Sequence, residues 1–234
     1  MRTSRERILA NIRAGLDTNR AELAAIAAQT PQTPPPFVLP PRADLAAQFA
    51  DELALLEGYP HRCADDEEAL EAIREILLAH QASTVITWDV DQLGLPGFDT
   101  LLAETGVSAL DSRVAYSGAE RADRLQTLEP APICISGANI GIAESGSLVV
   151  LSGPGRGRLA SLLAPVYIAV LRAPQLVRGL GEALTAIQAQ YGADVFRDRS
   201  NLTLITGPSR TADIELTLTL GVHGPREVHV VLID

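Results

Sequence analysis

The chain has 234 residues, 47% of them hydrophobic, and a formal net charge of −10 at pH 7. That length suits one large or two small domains with a substantial core, and the acidic balance argues against general nucleic-acid binding, which needs a basic footprint. The longest apolar runs, such as Leu148 to Leu151, are strand-sized and too short to span a bilayer.

Met1 to Arg13 is charged and lacks the apolar core of a secretory signal. Cys63 and Cys134 lie far apart. One disulfide is formally possible, but the preferred reading is two reduced thiols in a cytoplasmic protein. Two cysteines are also too few for an iron–sulfur cluster, which commonly takes four thiolates.

In chain order, Thr3 to Ala28 carries Ile8, Leu9, Ile12, Leu16, Leu23 and Ile26 at helical spacing. Thr30 to Pro36 then reads as an extended proline-rich linker. Residues 1–41 are therefore expected to be a helical arm with its linker, either docked on the body or reaching a partner, and 42–234 an α/β domain. Leu45 to Glu57 reads as a helix, and Tyr59 to Ala64 as a short strand. A helix runs from Asp65 to His80, with its acids on the first turn where the dipole favours them. Ser83 to Trp88 is a strand, Asp89 to Gly97 irregular, Phe98 to Glu104 a short helix and Ser117 to Thr127 a helix. Ile133 to Ser136 is a buried strand, followed by two β-like runs around Glu144-Ser145-Gly146. Strands at Pro165 to Leu171, Leu202 to Thr206 and Glu227 to Ile233 alternate with helices at Gln175 to Tyr191 and Thr211 to Leu220. The alternation predicts a mainly parallel sheet with helices on both faces.

Three segments bear on chemistry. Glu144 sits at a tight turn between apolar runs, where a carboxylate serves as nucleophile, general base or ligand-orienting acceptor, or is simply a solvated hairpin acid. Gly155 to Ala160 formally matches the dinucleotide pattern G-x-G-x-x-G/A. The helix that should follow is cut at Pro165, however, and the next strand ends in Arg172-Ala173-Pro174 in place of a ribose-binding acid. What survives is a glycine loop carrying Arg156 and Arg158, either closing on an anion or a mobile turn. The third is Gly207-Pro208-Ser209-Arg210-Thr211, where a strand gives way to the predicted helix, with Asp213 and Glu215 in its first turns. Free N–H groups at Ser209 to Thr211, with Arg210 beside them, predict an anion site. The alternative is a helix capped by Ser209. As strand-end features of one sheet, the Glu144 turn, the arginine loop and the Ser209 junction are expected to build one pocket. His61, His80, His223 and His229 show no metal-ligand spacing, so no metal site is expected. No Walker loop or serine-hydrolase elbow occurs, and no cofactor motif is present.

Ile142 to Val150, Gly157 to Val166, Thr206 to Glu215 and Leu220 to Glu227 resemble, in order and spacing, the LUD domain of the LutC/YkgG family of lactate-utilisation proteins. The resemblance runs from about Asp44 to Asp234 and is strongest after Ile133. It implies a fold like the NagB/RpiA/CoA-transferase group and a cytoplasmic role in L-lactate oxidation to pyruvate beside iron–sulfur partner subunits. This chain would be the component without a cluster. From the residues themselves, Ser145, Gly146, Arg156, Arg158, Gly207, Ser209, Arg210 and Thr211 are the expected contacts to a small carboxylate or phosphate-bearing ligand. CoA-transferases of the wider fold group use a glutamate near a glycine turn, and Glu144-Ser145-Gly146 is similar in kind. A stand-alone acyl- or CoA-transferase-like enzyme or hydrolase acting through Glu144 therefore remains the alternative, and whether the chain is an enzyme stays open.

Overall fold

A computed structural model describes residues 3–29, 35–115, 117–192, 195, 199, 201–212 and 218–234. The chain divides into two units, Met1–Pro34 and Pro35–Asp234. In the first, α1 spans Ser4–Gln29. Its start is a capping box: the Glu6 N–H donates to Thr3 Oγ1 at 3.3 Å, and Glu6 Oε2 accepts from the Thr3 N–H at 2.7 Å.

The second unit runs α2 (Leu45–Leu55), β1 (Tyr59–Cys63), α3 (Asp66–Ala79), β2 (Thr84–Thr87), α4 (Phe98–Thr105), β3 (Ser108–Asp111), α5 (Ala119–Leu128) and β4 (Ile133–Gly137). It continues with β5 (Ile140–Ile142), β6 (Ser147–Ser152), β7 (Val166–Arg172), β8 (Leu176–Val177), α6 (Leu180–Tyr191), β9 (Asn201–Ile205), β10 (Arg210–Ala212), β11 (Leu218–Leu220) and β12 (Glu227–Ile233). Six strands form a sheet in the order β1-β12-β7-β4-β2-β3, and every pairing is parallel. Helices flank this sheet. Its central strands are apolar along their length because both faces are covered: β4 is buried throughout, and β7 from Val166 to Leu171. Asp65 starts α3 by accepting the N–H groups of Glu67 and Glu68, both at 3.0 Å, as the acidic first turn predicts.

A second sheet, β8-β5-β6-β9, stands beside the first. Here β5 and β6 are an antiparallel hairpin whose turn is a 3₁₀ turn at Ala143–Ser145 followed by Gly146 at φ 57°. Strand β9 lies antiparallel to β6, so Ile205 pairs with Leu148 near the hairpin turn and Asn201 with Ser152 at the far end.

Three readings change. The helix expected over Thr211 to Leu220 is replaced by an antiparallel ladder pairing Arg210 with Leu220 and Thr211 with Thr219. The segment alternates Thr and Leu, a period of two that suits a strand, and the apparent Ser-Arg-Thr cap outweighed it in the sequence. Residues 213–217, with Asp213 and Glu215, lie outside the described residues, as do Thr30 to Pro34 of the linker. Helix α6 begins at Leu180 and not at Gln175, because Leu176–Val177 pair with Gly141–Ile142. Edge strand β3 went unread because its short Ser-Ala-Leu-Asp run has no apolar alternation.

Both cysteines are free and buried. The Cys134 thiol donates to the Leu159 carbonyl at 3.2 Å, and its sulfur accepts the Ala164 N–H at 3.3 Å. Burial pushes this thiol up to about 11, far from the thiolate that reacts. Native protein at pH 8 is therefore expected to leave Cys134 unlabelled by a disulfide reagent until denaturant is added. Stoichiometric labelling of Cys134 in the folded chain, read by mass spectrometry, would contradict this packing.

Candidate functional site

Strands β2, β4 and β7 all end at the same edge of the parallel sheet, the edge where ligands of such folds gather. A cleft of about 380 Å³ opens there, lined among others by Trp88 after β2, Gly137 and Asn139 around the end of β4, Arg172 at the end of β7, and Arg156 from the loop after β6. The loop is anchored by the Asp89 N–H donating to the Gly155 carbonyl at 2.9 Å, and by Trp88 Nε1 donating to the Gly157 carbonyl at 3.2 Å. Gly155 takes φ 70°, a left-handed backbone conformation that favours glycine.

The Arg156 guanidinium lies over the Trp88 ring, 5.2 Å from its centroid, and its Nε donates to Gln92 Oε1 at 3.0 Å. Among the described residues its two terminal nitrogens have no hydrogen-bond partner, so a planar, always-charged fork is held in place with donors to spare. Arg172 has a different role: it pairs with Asp66 at 2.6 Å and donates twice to the Gly94 carbonyl, at 2.7 and 3.1 Å. It braces the cleft wall between α3 and the irregular segment after β2. Gln175 Nε2 donates to the Ala138 carbonyl at 2.7 Å, and Asn139 Nδ2 to Tyr191 Oη at 3.1 Å. Most polar groups here hold the cleft together, whereas both terminal nitrogens of Arg156 remain as spare donors on its wall.

The expected single pocket does not form. Of its parts, only Arg156 lines this cleft. Arg158 lines a separate hollow with Ser112, Arg113 and Arg121. Gly207 and Ser209 line a third, with His223 and Val228, near the start of β12 and thus at the opposite edge of the sheet. The Glu144 turn does lie close to β9: Ser147 Oγ is 2.8 Å from Ser145 Oγ and 2.7 Å from Thr206 Oγ1. But β6 separates that turn from the Arg156 loop by its full length.

The physical basis of the Ser209 anion site is also gone. Arg210 and Thr211 are in a strand, and no helix start is found there among the described residues. The Ser209 N–H donates to the Pro225 carbonyl at 2.8 Å. Arg210 donates to the Leu56 carbonyl and pairs with Glu57 at 3.3 Å. Glu144 accepts the N–H groups of Val38, Leu39 and Leu180 at 2.6, 2.9 and 3.0 Å. Partial burial would raise its pKa, but these three donors outweigh it and hold the carboxyl below its ordinary range.

The sequence reading missed Trp88, Gln92 and Asn139 as lining residues. The one available signal was Arg172, a charge at the end of a buried strand.

An α/β protein with an arginine-bearing cleft at the carboxyl ends of a parallel sheet is the class defined here. The LUD domain family profile matches residues 46–233, and the chain belongs to this family. It is 37% identical over 168 residues to a protein named Lactate utilization protein C from Halalkalibacterium halodurans, covering 70% of this chain and 69% of that one. It is 32% identical over 200 residues to the protein YkgG of Escherichia coli, covering 82% and 80%. Among solved structures, a DUF162 family protein from Deinococcus radiodurans shares the fold at a TM-score of 0.54 and 23% identity, covering 84% of this chain and all of that one. No described helix is long and apolar enough to cross a membrane.

Proposed function

We propose that this chain is a non-redox component of an L-lactate utilisation system in the cytoplasm. It binds a small carboxylate in the cleft beside Arg156, while iron–sulfur partner subunits carry the electrons. The observation that carries the reading is the Arg156 fork, stacked on Trp88, with its terminal nitrogens unpaired among the described residues. A 2-hydroxy or 2-keto acid offers the matching carboxylate. The names of the relatives supply the lactate context. The two buried cysteines agree with a subunit that relies on others for electron transfer.

Glu144 as a nucleophile is the less favoured reading, since both its oxygens already accept backbone N–H groups.

Thermal unfolding with L-lactate, pyruvate and acetate tests the cleft. Ligand at about 100 times its Kd stabilises a fold by about 2.7 kcal/mol. The parent is expected to show such a shift with pyruvate or lactate, and Arg156→Ala to lose most of it while keeping its ligand-free midpoint. Equal shifts in parent and variant, or none in either, would remove the cleft from the reading. Co-purification from the native cell tests the partners separately: absence of cysteine-rich iron–sulfur proteins would remove that part.

A further inference from the structure

Three histidines and a glutamate that are far apart in sequence converge at the edge of the sheet opposite the cleft. Glu227 and His229 lie two residues apart on β12, so both side chains take the same face of the strand. His80 follows the last turn of α3, which packs on β1 and β12, and His61 lies on β1 beside β12. His80 Nε2 is 3.3 Å and His229 Nε2 is 3.8 Å from the same carboxylate oxygen, Glu227 Oε2. One donor atom from each of His80, Glu227 and His229 lies within 4.8 Å of the other two. Two donors on one tetrahedral zinc ion, each about 2.0–2.1 Å from it, are themselves about 3.3 Å apart. The His80–Glu227 spacing already matches that value, and the His229–Glu227 spacing exceeds it by about half an ångström.

A second observation concerns His229 alone. The residue is only 8% exposed, and its Nε2 is buried with no hydrogen-bond partner among the described residues. Such an orphaned nitrogen costs free energy unless something satisfies it. Its other nitrogen, Nδ1, is 3.0 Å from His61 Nε2. When Nδ1 carries the proton and donates it to His61, Nε2 presents a lone pair to the cluster, the arrangement a metal-bound histidine adopts with its outer partner. Tyr59 stacks on the ring, 4.7 Å between centroids, and fixes its plane. Arg226 Nε lies 3.5 Å from Glu227 Oε1, which leaves Oε2 to face the histidines. A simple ion pair between His80 and Glu227 would explain those two residues but would leave His229 Nε2 unsatisfied.

We propose that His80 Nε2, His229 Nε2 and Glu227 Oε2 bind one divalent first-row transition ion, zinc in the first instance, with His61 as the positioning residue for His229. Two nitrogens and one carboxylate oxygen suit such an ion better than calcium or magnesium, which take oxygen ligands. His80 and Glu227 are each about a quarter exposed, at 25% and 26%, so solvent reaches the cluster and supplies a fourth ligand.

The test uses the full chain without a polyhistidine tag, stripped with chelator and titrated with cobalt(II), then with zinc in competition. One equivalent of cobalt should bind saturably and give visible d–d bands of a four- or five-coordinate ion, which zinc then abolishes. His80→Ala and Glu227→Gln remove partly exposed side chains, and circular dichroism checks that both variants remain folded. Each should weaken cobalt binding at least about 10-fold, and His61→Gln should weaken it about 10- to 100-fold through His229. Failure to bind one equivalent, or undiminished binding in folded His80→Ala and Glu227→Gln, would overturn the site. None of these readouts depends on lactate or on the Arg156 cleft.

Discussion

Gly146→Ala is expected to be among the most damaging single-methyl additions in this protein. Gly146 closes the β5–β6 hairpin at φ 57°, where an L side chain costs roughly 1–2 kcal/mol by itself. A Cβ there would also sit 2.4 Å from the Leu53 nitrogen, 2.7 Å from its Cα and 2.8 Å from the Glu52 carbonyl carbon. These are backbone atoms in the body of α2 and cannot swing aside. The hairpin would have to withdraw from a helix whose Phe49 and Leu53 are fully or almost fully buried. The combined loss should be about 3–5 kcal/mol in chemical denaturation, or roughly 6–20 °C in melting temperature for a unit of this size. Gly106→Ala is the matched control. It has φ 69° with no atom within 4 Å of the added Cβ, so only the backbone term applies. If Gly146→Ala costs no more than Gly106→Ala, the close docking of α2 on the hairpin is wrong.

Glu144→Ala comes second, and its signature is a pH dependence. One carboxylate holds two separate pieces of backbone: the Val38–Leu39 segment and the first N–H of α6. Helix α6 starts on Gly179, which has no capping side chain, so Glu144 caps it from a distance in sequence. The same corner is tight. The Glu182 N–H donates to the Pro36 carbonyl at 3.0 Å, and Arg178 lies 5.0 Å from the Phe37 ring centroid. Removing the carboxylate leaves three N–H groups without their acceptor, and the expected loss is about 2–3 kcal/mol near neutral pH.

The sign follows from the lowered pKa of Glu144 in the folded protein. A depressed folded value means the contribution is fully present above the unfolded value, about 4.5, and disappears as pH falls through the folded one. The gap between parent and Glu144→Ala should therefore stay constant between pH 8 and about 6 and narrow below about 4.5. Glu144→Gln should also destabilise, because its amide keeps one acceptor oxygen and turns an NH₂ group toward a donor. A variant within about 0.5 kcal/mol of the parent at every pH would return Glu144 to the class of ordinary surface acids.

The apolar runs at Ile133 to Ser136, Pro165 to Leu171 and Glu227 to Ile233 were legible as buried strands of a parallel sheet, because a strand covered on both faces has few polar residues. The acids after Asp65 marked the start of α3, since the helix dipole and the cap both favour them. The glycine loop carrying Arg156 was legible as a loop, since Gly153 to Gly157 cannot continue a strand or start a helix cleanly. These are local relations, where neighbouring residues decide the outcome.

Other features depended on contacts between distant residues. Glu144 was a visible carboxylate at a visible turn, but its acceptor role depends on Val38 and Leu39, more than a hundred residues earlier. Its three N–H partners come from two separate segments, Val38–Leu39 and the start of α6. The Ser-Arg-Thr segment had both a helix-start signal and a strand alternation, and pairing with β11 chose the strand. His61 and His229 are 168 residues apart, yet their ring nitrogens lie 3.0 Å apart because β12 inserts beside β1. The buried strands β4, β7 and β12 and the start of α3 follow from local sequence, because their burial pattern and the Asp65 cap act over a few residues. Which charges meet is a long-range matter, because strand order in a parallel sheet is set by packing between distant segments and not by any nearby residue.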